Sequence, residues 1–135
     1  MPVHKLPKLS RAELDIMQVI WQLKEATVTD VAEQINVNRK RKLQRSTIQV
    51  QLQRLEEKGW LKHREANRKF LYFTRYSQDQ VSAEIVNDIA ERVFNGSSSS
   101  MLLCMFNNRL IDSADIEKLK SIIDSAEGGK GDGKS

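Results

Sequence analysis

Ser46, Thr47, Gln49, Val50, Gln53 and Arg54 fall within nine residues and bring hydroxyl, amide, methyl and guanidinium groups to one stretch of chain. These groups match base-pair edges in a DNA major groove. A glutamine amide can pair with adenine N6/N7, and a valine or threonine methyl can meet the thymine methyl. Ile48, Leu52 and Leu55 alternate with them at helical spacing, so one helix would carry an apolar stripe on one side and this polar set on the other. A helix face that is merely solvated is more often rich in Glu and Lys. That alternative stays open residue by residue, for Gln49 and Gln53 above all. The base-readout candidates are Ser46, Thr47, Gln49, Val50 and Gln53.

A second set of residues suits phosphate. Arg39, Lys40, Arg41 and Lys42 are four consecutive cations just before that stretch, Arg45 and Arg54 belong to it, and Arg64, Arg68 and Lys69 follow it. Lysine and arginine supply affinity and salt dependence by releasing counterions from the DNA backbone. A cation run by itself is more often a solvated loop; its place ahead of an amide-rich helix argues for phosphate. The overall charge of +4 hides a division. Residues 1–76 hold 16 Lys/Arg against 8 Asp/Glu, or +8, and residues 77–135 hold 6 against 10, or −4. Only the first part suits a polyanion.

Local signals indicate which elements position these residues. The reading helix starts with Ser46 as cap and ends at Gly59, which can adopt a left-handed conformation. Ser10 and Glu13 form a capping box for a first helix of about 13 residues. Its inward face is Leu14, Met17, Trp21 and Lys24, widened by Ile20 and Leu23. Thr29 caps a short second helix bearing Val31 and Ile35. Two helices joined by a turn make a helix-turn-helix. Residues 60–64 and the aromatic stretch 69–74 then predict a hairpin wing turning at 65–68, where Asn67 tolerates a left-handed backbone. Residues 1–8, with both prolines, predict a loose arm.

From Ser77 the pattern is helical again. Val81, Ile85, Ile89 and Val93 repeat every four residues. Met101 to Phe106, including Leu102 and Leu103, is apolar on nearly all sides, which a helix tolerates only when covered. Asp112 or Ser113 caps a last helix with Ile116, Leu119, Ile122 and Ile123 inward. Some fifty residues in three short helices are too few to stand alone. The economical solution is pairing with the same part of a second chain, which also places two reading helices on one duplex; folding back on the first domain is the alternative. The fold class is therefore mainly α. It comprises an arm (1–8), a winged helix-turn-helix of three helices plus a small β-hairpin (9–76), a three-helix dimerisation domain (77–125) and a disordered tail (126–135).

Other classes find little support. No phosphate-cradling Gly loop, nucleophile–base pair or metal-ligand spacing occurs, so neither catalysis nor a cofactor or metal is expected. Cys104 is the single cysteine, which precludes an internal disulfide. Inside an apolar run it reads as an inert core residue, with a redox switch as the alternative. The N-terminus lacks a signal-peptide apolar region and no stretch is long enough to span a membrane, so a cytoplasmic location is expected. The competing function is a winged-helix protein-interaction module without specific DNA binding.

Three motifs carry a family likeness. Leu9-Ser10-Arg11-Ala12-Glu13-Leu14 with Ile16-Met17 and Trp21, then Ser46-Thr47-Ile48 with Leu52, Arg54-Leu55 and Lys58-Gly59, then Arg68, Phe70 and Tyr72, are similar to the motifs of the penicillinase/methicillinase repressor family, which also includes copper-responsive repressors. The likeness spans roughly residues 9–125. It implies a bacterial repressor that binds an inverted repeat of TACA/TGTA type as a homodimer. It also implies relief of repression by proteolysis in the C-terminal domain, triggered by a membrane-bound sensor. The family's scissile Asn–Phe bond is matched here by Met105-Phe106, so the Asn is missing. The copper-responsive branch ends in paired Cys-x-Cys motifs, which Cys104 alone cannot supply. Leu43 stands where many relatives have Trp, and Asn67 where they have the wing-turn Gly.

Overall fold

The computed structural model describes residues 3–133. The order is α1 (Arg11–Leu23), α2 (Val28–Asn36), α3 (Arg45–Glu57), β1 (Lys62–Ala66), β2 (Lys69–Phe73), α4 (Gln78–Phe94), α5 (Ser98–Asn107) and α6 (Ser113–Gly133). The chain forms two compact units, the first closing at Val86 and the second beginning at Asn87. The division falls inside α4, ten residues beyond the junction at 76/77 that the change of pattern suggests.

The first unit is a winged helix. Its core joins Ile16, Met17 and Ile20 of α1, Val31 of α2, Ile48, Leu52 and Leu55 of α3, and Trp60, Leu61 and Tyr72 around the hairpin. The α1 capping box forms as its sequence predicts: Ser10 Oγ accepts from the Glu13 amide at 3.2 Å, and Glu13 Oε1 accepts from the Ser10 amide at 2.8 Å. The buried face of α1 is rotated from the expected one. Ile16 and Glu13 lie inward, Leu14 and Trp21 at the edge, and Leu23 outside. Lys24, expected on that face, is the left-handed residue that stops the helix (φ 73). Burial of Ile16, Met17, Val19 and Ile20 sets this face, and Glu13 can share it because its carboxylate meets Lys58 Nζ, just past the end of α3, at 2.6 Å. Burial pushes the Glu13 carboxyl up, yet the hydrogen bonds from Lys58 and Ser10 outweigh it and hold it below the ordinary value.

Two further expectations change. Thr27, not Thr29, caps α2, because Asp30 sits three residues on and completes a capping box (3.0 and 3.1 Å). Residues 3–8 are not loose. Val3–Lys5 is a 3-10 turn, and Val3, Leu6 and Leu9 pack on the core at the three-residue spacing such a turn presents. Trp60 Nε1 donates to the Pro7 carbonyl at 2.9 Å, and Leu6 lies so close to Gly59 that an added Cβ there would sit 3.1 Å from its Cδ2. Met1 and Pro2 lie outside the described residues.

The hairpin is a two-stranded antiparallel sheet with Ala66 opposite Lys69. Its turn is Asn67-Arg68, both at positive φ (52 and 62), the pattern of a two-residue type I′ loop. Trp60 and Leu61, expected at the start of the first strand, lie in the core before it. On the other side of β2, Ala26 exchanges both backbone hydrogen bonds with Tyr72 (3.0 and 2.8 Å), so the α1–α2 connection forms a one-residue third strand.

Val81, expected in a dimerisation stripe, is 1% exposed within this first core. It faces the winged helix because α4 starts directly beneath it. In the second unit, Gly96 and Asn95 (φ 81 and 50) end α4, Ser97 caps α5 through the Ser100 amide, and Asp112 caps α6 through the Asp115 amide. No side chain of α5 is buried. Cys104 is only half-buried, and the Asn108 amide donates to its carbonyl at 2.8 Å. Disorder is predicted from residue 126, whereas the described backbone continues as helix to Gly133. Residues 134–135 lie outside the described residues. No helix among the described residues is long and apolar enough to cross a membrane.

Candidate nucleic-acid interface

The α3 helix is built to hold one face still. Its stripe of Ile48, Leu52 and Leu55 is fully buried. Ser46 does not cap it; the cap residue is Gln44, whose carbonyl receives the Thr47 and Ile48 amides at 3.0 and 3.2 Å. The helix begins earlier than the Ser46 signal suggests because the preceding turn is fixed. The Asn36 side chain accepts from the Leu43 amide at 2.8 Å and donates to the Leu43 carbonyl at 3.0 Å, while Leu43 packs on the core. At the other end Gly59 (φ 93) ends the helix as expected. Ser46 and Arg45 therefore occupy the first turn, where unsatisfied amides favour an anion.

The opposite face is free. Ser46, Thr47, Gln49, Val50 and Gln53 are all exposed, and none has a side-chain partner among the described residues. Val50 is 46% exposed although β-branched and apolar. The face thus offers two amides, two hydroxyls and a methyl pair, held on a helix anchored from behind.

The cations sort into two groups. Lys40, Arg41, Arg54, Arg68 and Lys69 are exposed, with no side-chain hydrogen bond or ion pair among the described residues. The others are engaged. Arg39 Nε donates to the Arg41 carbonyl (2.9 Å), Lys42 Nζ to the Asn36 carbonyl, and Arg45 Nε to Thr29 Oγ1 (3.3 Å). These bonds fold the four-cation run into a defined turn. Arg64 differs most from expectation. Its guanidinium grips Glu25 at 2.6 and 2.8 Å, which lowers the Glu25 carboxyl and raises Arg64. The pair ties the wing to the α1–α2 connection.

A second strut joins the wing to α3. His63 Nδ1 lies 2.7 Å from Glu56 Oε2, and its ring stacks on Phe70 at 4.2 Å. Burial, with the nearby Glu56 carboxylate, raises the Tyr72 hydroxyl. Of the residues that build this site, Glu25 and Glu56 are invisible as such in the sequence. Glu25 and Arg64 are 39 positions apart, and no local spacing announces such a pair. Asn36 alone had a signal, a short amide residue at a helix end. Among the described residues no cluster of His, Cys, Asp or Glu could hold a metal ion.

Residues 9–125 match the profile of the family described as penicillinase repressor. The chain is 28% identical over 122 residues to a penicillinase repressor of Bacillus licheniformis, covering 90% of this chain and 94% of that one. It is 24% identical over 120 residues to the methicillin resistance regulatory protein MecI of Mammaliicoccus sciuri, covering 89% and 96%. Among solved structures it is similar to the DNA-binding domain of the repressor BlaI in solution, with 31% identity, a TM-score of 0.49, and coverage of 59% of this chain and 93% of that one.

Proposed function

Because the chain belongs to the penicillinase repressor family, we propose that it is a transcriptional repressor that binds an inverted-repeat DNA operator as a homodimer through α3 and the wing. The family is one of repressors, not of enzymes. The observation that carries the reading is the face of Ser46, Thr47, Gln49, Val50 and Gln53, exposed opposite a fully buried stripe. Gln49 pairs with adenine, and Val50 and the Thr47 methyl meet thymine, which suits T/A-rich half-sites of TACA/TGTA type. Lys40, Arg41, Arg54, Arg68 and Lys69 meet phosphates, joined by Arg39, Lys42 and Arg45 from their ordered turn. Arg64 contributes least, since Glu25 already neutralises it.

The homodimer is supported by the apolar residues that the single chain leaves bare. Ile85, Ile89, Val93, Leu102, Leu103, Phe106, Ile122 and Ile123 are between 37% and 67% exposed, with Ile116 and Leu119 half-buried beside them. Relief of repression by a membrane-sensor-linked protease cutting between Met105 and Phe106 belongs to the same reading. That bond lies inside α5, so the helix must unwind locally to present it.

The deciding experiment compares Gln49→Ala with wild type on an inverted-repeat duplex and on unrelated DNA. The variant loses about 1–3 kcal/mol at the repeat and nothing on unrelated DNA. Equal loss on both removes Gln49 from base reading. A wild-type protein without salt-sensitive preference for the repeat would leave an interaction module in place of a repressor.

A further inference from the structure

Two adjacent residues of β1 grip the wing from its two faces, as the alternation of side chains along a strand allows. His63 meets α3. Its Nδ1 stands 2.8 and 2.7 Å from the two carboxylate oxygens of Glu56, in the last turn of that helix. A carboxylate only accepts, so the ring carries a proton on Nδ1 and donates it. The same ring stacks on Phe70 of β2, with centroids 4.2 Å apart and planes 25° from parallel, and lies 5.6 Å from the ring of the buried Tyr72. Arg64, the next residue, holds Glu25 of the α1–α2 connection. Phe70 in turn adjoins Lys69, which pairs with Ala66 at the end of the hairpin, beside Arg68 in the turn. A two-stranded hairpin is marginally stable by itself, and here only the single residue Ala26 extends the sheet. The side-chain struts therefore supply much of what fixes this wing.

We infer that Glu56 and His63 are positioning residues that tie the wing's phosphate contacts to base reading by α3, so that Arg68 and Lys69 engage phosphate fully when α3 sits on its proper half-site. The inference rests on the DNA-binding reading above. Glu56 belongs to the same helix as Ser46, Thr47, Gln49, Val50 and Gln53, and the whole strut lies within the first compact unit. Contact runs from that helix through the carboxylate and the imidazole to the Phe70 ring, next to the cations of the wing tip. Ala66 stands three residues beyond His63 along β1, about 10 Å at the rise of a strand. A swing of roughly 15° at the strut therefore carries the tip about 2.5 Å, enough to lose a hydrogen bond. With the strut cut, the tip cations find phosphates in any register and no longer reward the right one. Charge makes this reading easy to tell from a simpler one. A carboxylate is repelled by phosphate, so by charge alone the removal of Glu56 tightens binding to every DNA. A positioning role gives the opposite sign on the specific site.

The test uses the full chain on an inverted-repeat duplex of TACA/TGTA type and on unrelated DNA of equal length. Glu56→Ala keeps a good helix former and removes the acceptor. It loses about fivefold or more on the repeat, yet binds unrelated DNA as tightly as wild type or tighter. Glu56→Gln removes the same charge but keeps a carbonyl oxygen for Nδ1–H, and it binds the repeat within about twofold of wild type. Arg68 shares no hydrogen bond or ion pair with Glu56, yet the two are coupled through the strut. Arg68→Ala costs the repeat complex about fivefold or more in wild type and less than about twofold in Glu56→Ala. Two results overturn the inference. Charge alone would tighten Glu56→Ala and Glu56→Gln equally on both DNAs. A merely structural role would lower the melting temperature and leave the Arg68→Ala penalty the same in both backgrounds. His63→Ala removes the ring from the other side of the strut, carries the same expectation as Glu56→Ala, and decides the matter if Glu56→Ala loses binding to unrelated DNA. A wild-type protein without preference for the repeat overturns the DNA-binding reading, and the inference with it.

Discussion

The first unit buries its apolar stripes and leaves a polar face exposed; the second leaves the apolar residues themselves exposed. Ile48, Leu52 and Leu55 of α3 are 0% exposed, whereas Leu103 of α5 is 60% exposed. The two helices have opposite compositions, and the poorer in apolar residues is the better buried. Burial is therefore set by what lies opposite a helix, not by how apolar it is. α3 has α1, α2 and the hairpin around its back. Among the described residues Met101 to Phe106 has no comparable surround, which the proposed homodimer would provide.

The largest test of this contrast sets one leucine from each unit side by side. Leu52→Ala removes a fully buried side chain and costs about 2–5 kcal/mol, seen as a loss of thermal stability of similar size at every protein concentration. Leu103→Glu acts differently if a partner covers α5. The wild-type melting temperature rises with protein concentration, and the variant abolishes that rise while sedimenting as a monomer. A concentration-independent wild type would break the comparison by showing that α5 has no partner.

A smaller effect sharpens it within the first unit. Glu13 is 6% exposed and joins α1 to α3 through Lys58. Glu13→Gln is expected to cost about 1.5–3 kcal/mol in chemical denaturation, the range for hydrogen bonds to a charged group. Its carboxyl sits below its unfolded value of about 4.5, so the stability it adds is fully present above that pH and is lost as pH falls through the still lower folded value. The variant should therefore lose less stability than wild type on acidification through that window. Parallel curves would remove Glu13 from the acid response.

The smallest effect separates two wing arginines. Arg68→Ala lowers the slope of log affinity against log salt by roughly one, on all DNAs alike. Arg64→Ala changes it by less, because the same substitution releases a Glu25 carboxylate already bound to it. Equal changes would mean that Arg64 leaves Glu25 for phosphate when DNA arrives.

Much of the first unit was legible because its signals are local. Ser10 and Glu13, the spacing of Ile48, Leu52 and Leu55, Gly59 after the helix, and Asn67 in the wing turn each act within a few residues. The winged helix, the exposed face of α3 and the family itself follow from these. Where sequence reasoning failed in the same unit, a distant partner decided the outcome. Glu13 joins the buried face of α1 through Lys58, 45 positions on, and the arm docks beside Trp60 and Gly59. Val81 shares its four-residue repeat with Ile85 and Ile89, yet is sealed in the core while they are not.

The sequence by itself determined the helices, the hairpin, the charge division and which groups α3 carries, because periodicity, caps and turn residues work over distances shorter than one element. Tertiary structure alone decided which cations remain unpaired, where α3 begins and how α4 is fastened. Arg64 and Glu25, Asn36 and Leu43, and Trp21 and Tyr76 meet only after the chain has folded, and a hydrogen bond between residues far apart in sequence leaves no spacing to read.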